Sequence, residues 1–127
     1  MKKKLPPSQS AFNTLLRDYK KDRNKTTTPF SLTNEDFRFL TSSNCFYCGS
    51  PPSKSVLNGQ GKNSKKFNGD YIYNGIDRID NSVGYVIENC VSCCLICNRA
   101  KRDLHKSDFI KWIKKISEYS LNINFVY

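Results

Sequence analysis

The chain has 127 residues, with 21 Lys and Arg against 11 Asp and Glu, a formal charge of +10 and an isoelectric point near 9.4. That length fits one domain with a modest core, and a basic excess spread from Lys2 to Lys115 fits a surface that meets a polyanion rather than an acidic face turned to cations. No signal-peptide apolar region follows Met1-Lys-Lys-Lys and no apolar run approaches membrane-spanning length, which disfavours a secreted disulfide scaffold or a membrane protein and leads us to expect reduced cysteines in a bacterial or host-cell cytoplasm.

From the N-terminus, Ser10 to Arg23 places Phe12, Leu15, Leu16 and Tyr19 at helical spacing with Lys and Arg opposite, predicting an amphipathic helix whose apolar stripe packs on the domain. Thr33-Asn-Glu-Asp36 has a form close to a capping box and predicts a second helix carrying Phe37 and Leu40, which leads directly into Cys45. From Pro51 to Gly69 the composition turns to Ser, Gly, Asn, Pro and Lys, with Lys54, Lys62, Lys65 and Lys66 and no acid. It reads as a basic loop, either a solvated connector or a flap that touches DNA.

Tyr71-Ile-Tyr73 and Ile76-Asp-Arg-Ile79 read as strand segments, and Asp80-Asn-Ser-Val-Gly-Tyr85 as a turn before Val86-Ile87, so a β-hairpin is expected there. A helix from Leu95 to Leu104 should follow, and then one from Asp108 to Tyr119 capped by Ser107. In that last helix Phe109, Ile113 and Ile116 should face inward and Lys111, Lys114, Lys115 and Glu118 outward. Trp112, beside the stripe, is assigned to packing rather than to base stacking.

The cysteines fall as Cys45-Phe-Tyr-Cys48 and, far downstream, as two consecutive C-x-x-C pairs, Cys90/Cys93 and Cys94/Cys97. Two such pairs supply the four thiolates of a tetrahedral structural zinc. A zinc with sulfur at every position cannot activate water, so chemistry here would fall to other residues and a harder cation.

Taken together, Cys-x-Tyr-Cys-Gly at 45–49, Asn-Gly-Ile-Asp-Arg-Ile-Asp-Asn-Ser-Val-Gly-Tyr at 74–85 and Glu-Asn-Cys-Val-Ser-Cys-Cys-Leu-Ile-Cys-Asn-Arg-Ala-Lys at 88–101 resemble the zinc-containing HNH endonucleases of phages, mobile elements and some restriction systems. The resemblance covers roughly residues 30 to 116. It implies an α+β fold, a small ββα-metal nuclease core of the His-Me finger type with a four-cysteine structural zinc and flanking helices. In that scheme the chain is one HNH-type nuclease domain: an N-terminal helical arm over 1–44, a zinc-stapled core over 45–104 with the basic loop at 51–69, and a C-terminal helix over 105–127.

The resemblance also assigns roles. Family register makes Cys45, Cys48, Cys94 and Cys97 the zinc ligands and leaves Cys90 and Cys93 as small buried residues. Asp77 and Asn98 would ligate a catalytic Mg²⁺ or Mn²⁺ through oxygen, and Asn89 would tie the loop after the second strand so that the ligands are aimed. Arg78 stands where most members have the histidine that takes a proton from water. A guanidinium cannot do that, so Arg78 is assigned to gripping the scissile phosphate. The base stays open among His105, expected two turns beyond Asn98 on the same helix face, Tyr71 or Tyr73, and water activated by the cation alone.

The implied activity is divalent-metal-dependent hydrolysis of phosphodiesters in double-stranded DNA. A catalytically inactive zinc-stapled DNA-binding module is the alternative, and an accessory protein working through protein contacts is a third. One site cuts one strand, so cutting both would call for a homodimer, sequential nicks or a partner subunit.

Overall fold

The structure, a computed structural model, describes residues 6–24, 29–55 and 69–123. Most of the basic loop, with Lys62, Lys65 and Lys66, lies outside the described residues. Helix α1 (Gln9–Asn24) takes its amphipathic form because Phe12, Leu15 and Leu16 recur on one side and are buried. Helix α2 (Asn34–Ser42) opens on a complete capping box: Thr33 Oγ1 accepts from the Asp36 amide at 3.0 Å, and the Asp36 carboxylate accepts from the Thr33 amide at 3.1 Å.

These helices meet through aromatic rings. Phe12 stands edge-on to Phe37 and to Tyr71, with centroids 5.7 and 5.2 Å apart. The Tyr71 hydroxyl lies 2.7 Å from Thr41 Oγ1, which satisfies the one polar end that this cluster buries. Tyr71 is thereby a core residue.

Strand β1 (Lys54–Ser55) pairs antiparallel with β2 (Ile72–Tyr73), and β3 (Gly75–Arg78) pairs antiparallel with β4 (Cys90–Cys93). The hairpin therefore differs from the expected one. Its second strand begins at Cys90, whereas Val86 and Ile87 lead into a short 3-10 turn at Ile87–Asn89. The turn predicted at 80–85 is instead the middle of an eleven-residue connection, residues 79–89, whose shape comes from side-chain ties. Gly84 sits where this connection crosses Pro29: a Cβ on it would come within 2.4 Å of the Pro29 carbonyl oxygen. The close approach lets the Tyr85 amide donate to Pro29 O and the Tyr85 carbonyl accept from Ser31, so the crossing is locked on both sides.

Helix α3 (Leu95–Lys101) follows β4 directly, and α4 (Lys106–Leu121) follows after a turn. Helix α3 stops at Lys101 rather than Leu104 because Arg102 adopts φ 54°, outside helical space. The N-cap of α4 is His105, not Ser107: its ring nitrogen accepts from the Ser107 amide at 3.1 Å. The first turn of α4 is anchored through the buried Phe109 against Tyr47 and the Lys106 amide on Ile79 O. Ile113 and Ile116, predicted inward, are 40% and 48% exposed, and Trp112 is 46% exposed beside Phe109. Periodicity gave the helix an apolar side, but beyond Phe109 that side is only partly covered among the described residues. No helix among the described residues is long and apolar enough to cross a membrane.

Candidate active site and metal centre

The sulfur site is built by two turns brought together by the β3–β4 hairpin. Cys45 and Cys48 lie in a tight turn in which the Cys45 amide donates to Ser50 O and the Gly49 amide to Cys45 O. Cys94 is the N-cap of α3, its Sγ accepting from the Cys97 amide at 3.4 Å, so the second pair sits on the first turn of that helix. The Sγ atoms of Cys45, Cys48, Cys94 and Cys97 lie within 4.8 Å of one another, with Cys48 and Cys94 3.6 Å apart. Zinc–sulfur bonds of about 2.3 Å at tetrahedral angles put sulfurs roughly 3.8 Å apart, so these four cysteines fit a structural zinc in number, donor type and spacing.

Hydrogen bonding and burial act on these thiols in opposite directions. The Ser50 hydroxyl and then its amide donate to Cys48 and lower its pKa to about 6. Burial raises Cys94 and Cys97, where the neighbouring thiols add to the effect at Cys97. Cys90 and Cys93 are buried in β4 outside the cluster, and burial pushes Cys90 up to about 12 and Cys93 higher still. Their place outside the four-sulfur cluster, not their acidity, leaves them as small buried residues.

Asn74 connects the two halves. Its Nδ2 donates to Ser43 O at 3.0 Å and Ser50 O at 3.1 Å, and its amide donates to Thr41 O, so the end of α2, the first cysteine turn and the start of β3 are tied together.

Beside the sulfur cluster, a cavity of about 230 Å³ with a polar lining is walled by Asp77 and Arg78 of β3, Asn98 of α3, Asn81 and Tyr85 of the long connection, Tyr19 of α1, Ile76 and Arg102. The hairpin and α3 thus bring Asp77, Arg78 and Asn98 to one place. Asp77 is 4% exposed and accepts on both oxygens: Lys101 Nζ lies 3.1 Å from Oδ1 and the Tyr47 hydroxyl 2.7 Å from Oδ2. Each carboxylate oxygen has a second lone pair, so these bonds fix the group without exhausting it. Burial first, and then the hydrogen bond to Asp77, hold the Tyr47 phenol well above its ordinary pKa, which keeps it a donor. Lys101 is fully buried and also donates to Arg78 O at 3.0 Å.

Asn89 lies outside the cavity wall and binds the connection to itself. Its Oδ1 accepts from the Asp80 amide at 3.0 Å, while Nδ2 faces the carbonyls of Asp80, Val83 and Gly84 at 3.0 to 3.2 Å. Arg78 stacks its guanidinium 4.9 Å over Tyr85 and donates to Val83 O at 3.4 Å. Arg102 is the first central residue of a turn closed by Leu104 N–H on Lys101 O, with φ 54° and ψ −120°. Those are the angles of a type II′ turn, where glycine is the usual occupant and a side chain costs on the order of 1–3 kcal/mol. A cation after a helix C-terminus recovers only about 0.3–1 kcal/mol.

The expectation for His105 is overturned, because α3 ends before reaching it: His105 caps α4 and is not part of the cavity wall. Sequence reasoning missed Lys101, Tyr47, Asn74 and Arg102. The first three stand inside the motifs quoted for the resemblance but are given no role there, and Arg102 falls within the helix expected over Leu95 to Leu104.

No family model matches the chain. A curated relative, the uncharacterised protein R423 of Acanthamoeba polyphaga mimivirus, is 36% identical over 90 residues, which is 71% of this chain and 14% of that protein; the chain thus spans about one seventh of the relative's length. Among solved structures, the rare-cutting HNH restriction endonuclease PacI is similar with a TM-score of 0.58 and 20% identity, over 85% of this chain and 78% of that one. At that identity the likeness shows the fold: a mixed arrangement of helices and small sheets like that of an HNH endonuclease.

Proposed function

We propose that the chain is a divalent-metal-dependent DNA endonuclease of HNH type, a single nuclease domain whose β3, β4 and α3 form a ββα-metal core. The observation that carries this reading is the convergence of Asp77, Arg78 and Asn98 on one polar cavity next to a four-sulfur cluster. The sulfurs would hold zinc and fix the start of α3. Asp77 and Asn98 offer oxygen donors, which suits Mg²⁺ or Mn²⁺ and separates that ion from the zinc.

A cation bound there would supply Lewis-acid stabilisation of the phosphate and of the departing 3′ oxygen, and would acidify water. The chain's own residues do the rest. Asn89 holds the connection that carries Asn81 and Tyr85 to the cavity. Lys101 and Tyr47 hold the Asp77 carboxylate in one orientation from the protein side. Arg78, fixed against Tyr85, presents a positive donor to a phosphate oxygen, and the reading asks no proton transfer of it. The exposed Lys111, Lys114 and Lys115 of α4 are available to the DNA backbone. The likeness to PacI, a restriction endonuclease that perturbs DNA, supports DNA as the substrate class, and we take the duplex as its form.

The test is nicking of supercoiled plasmid by the zinc-loaded chain with and without Mg²⁺. Asp77→Asn is the control, since it keeps the side-chain shape beside the buried Lys101. Mg²⁺-dependent nicking that Asp77→Asn abolishes is the expected result. Equal nicking by both chains would overturn the mechanism, and salt-sensitive DNA binding without cleavage would favour a binding module instead.

A further inference from the structure

The structure assigns to Arg102 the part of a second phosphate-gripping guanidinium on the Asp77–Asn98 cavity, which the constrained Arg78 also lines; this rests on the nuclease reading above and names a contact that it lacks. Three observations meet at this residue. Its backbone occupies a position suited to glycine, so a selective reason is needed for a large side chain there. Its amide donates to Asn98 O at 3.0 Å, so the strained residue is tied to the residue that faces the cavity from α3. Arg102 lines that cavity, yet among the described residues its side chain makes no hydrogen bond or ion pair.

Arg78 and Arg102 differ in what they have to offer. The first spends one face on Tyr85 and a donor on Val83 O. The second keeps its whole fork of donors, which matches two oxygens of one phosphate. The ligand class is the phosphodiester of a nucleic-acid backbone, because the cavity walls supply cationic and amide donors around a single carboxylate that is already paired with Lys101.

The experiment compares the full zinc-loaded chain with Arg102→Gly and Arg102→Lys. Melting temperature, plasmid nicking in Mg²⁺ and the salt dependence of duplex DNA binding in Ca²⁺ are measured. Glycine should raise the melting temperature by a few degrees, because it relieves the turn. It should also slow nicking at least tenfold and flatten the log–log salt slope by about 0.9, the share of one phosphate contact. Lysine should keep the salt slope and nick at an intermediate rate. Stability and function moving in opposite directions is the signature, since a merely structural arginine would change neither slope nor rate when replaced. A glycine variant with unchanged slope and rate would overturn the assignment while leaving the nuclease reading intact, and an unraised melting temperature would remove its premise. Failure of the unaltered chain to bind DNA at low salt would sink the nuclease reading, and this inference with it.

Discussion

Lys101 Nζ lies 3.1 Å from Asp77 Oδ1 inside the protein, an ion pair with both partners almost wholly out of water. Removing one member of such a pair strands the other charge, at a cost of about 3–5 kcal/mol. Lys101→Met should therefore unfold at lower urea than the unaltered chain. It should also recover more stability on addition of Mn²⁺, because a cation at Asp77 would replace the missing ammonium. Melting curves of both zinc-loaded chains with and without Mn²⁺ read this directly, and equal Mn²⁺ shifts would mean that the ammonium does not face the cation.

The two consecutive cysteine pairs make opposite demands. Cys94→Ser should release zinc and lose most of the fold, since structural zinc contributes on the order of 10 kcal/mol in small domains. Cys90→Ser should retain it, because Cys90 sits outside the four-sulfur cluster. Metal content after gel filtration decides the matter, and zinc lost from Cys90→Ser alone would reverse the ligand assignment.

Asn89 offers a sharper probe of the long connection. In Asn89→Asp, oxygen replaces the NH₂ group that now faces three carbonyls. The variant should lose at least about 3 kcal/mol in urea unfolding and should nick plasmid poorly. A loss under about 0.5 kcal/mol would show that the ties do not set the loop.

Asp80 contributes a pH dependence. The hydroxyl of Ser82, then its amide, donate to the carboxylate and hold its pKa below the ordinary value. Folding therefore favours the ionised form. The stabilisation is present above the usual carboxylate pKa of about 4 and is lost as pH falls through the depressed value. Asp80→Asn should accordingly lose less stability than the unaltered chain between pH 7 and pH 3, as read from urea midpoints; parallel losses would contradict the linkage.

What could be read from the sequence was whatever depends on near neighbours. The Thr33 capping box, the Phe12 stripe and the cysteine spacing are local patterns with local physical causes, and the structure carries all three. The hairpin was legible only in part, because Val86 and Ile87 have strand-like composition, yet the loop ends where Asn89 ties it, and pairing starts at Cys90. The apolar stripe of α4 misled in another way: periodicity says which residues share a side, not whether anything covers it. Lys101 was invisible because its burial depends on Asp77, 24 residues away in sequence and facing it from β3.

Whether Asp77 and Asn98 hold an oxygen-ligated cation distinct from the zinc is read from Mn²⁺ titration followed by electron paramagnetic resonance. The zinc-loaded chain should take up one Mn²⁺ per molecule, and Asp77→Asn and Asn98→Ala should each lose that binding while keeping their zinc. Undiminished Mn²⁺ uptake by both variants would contradict the account.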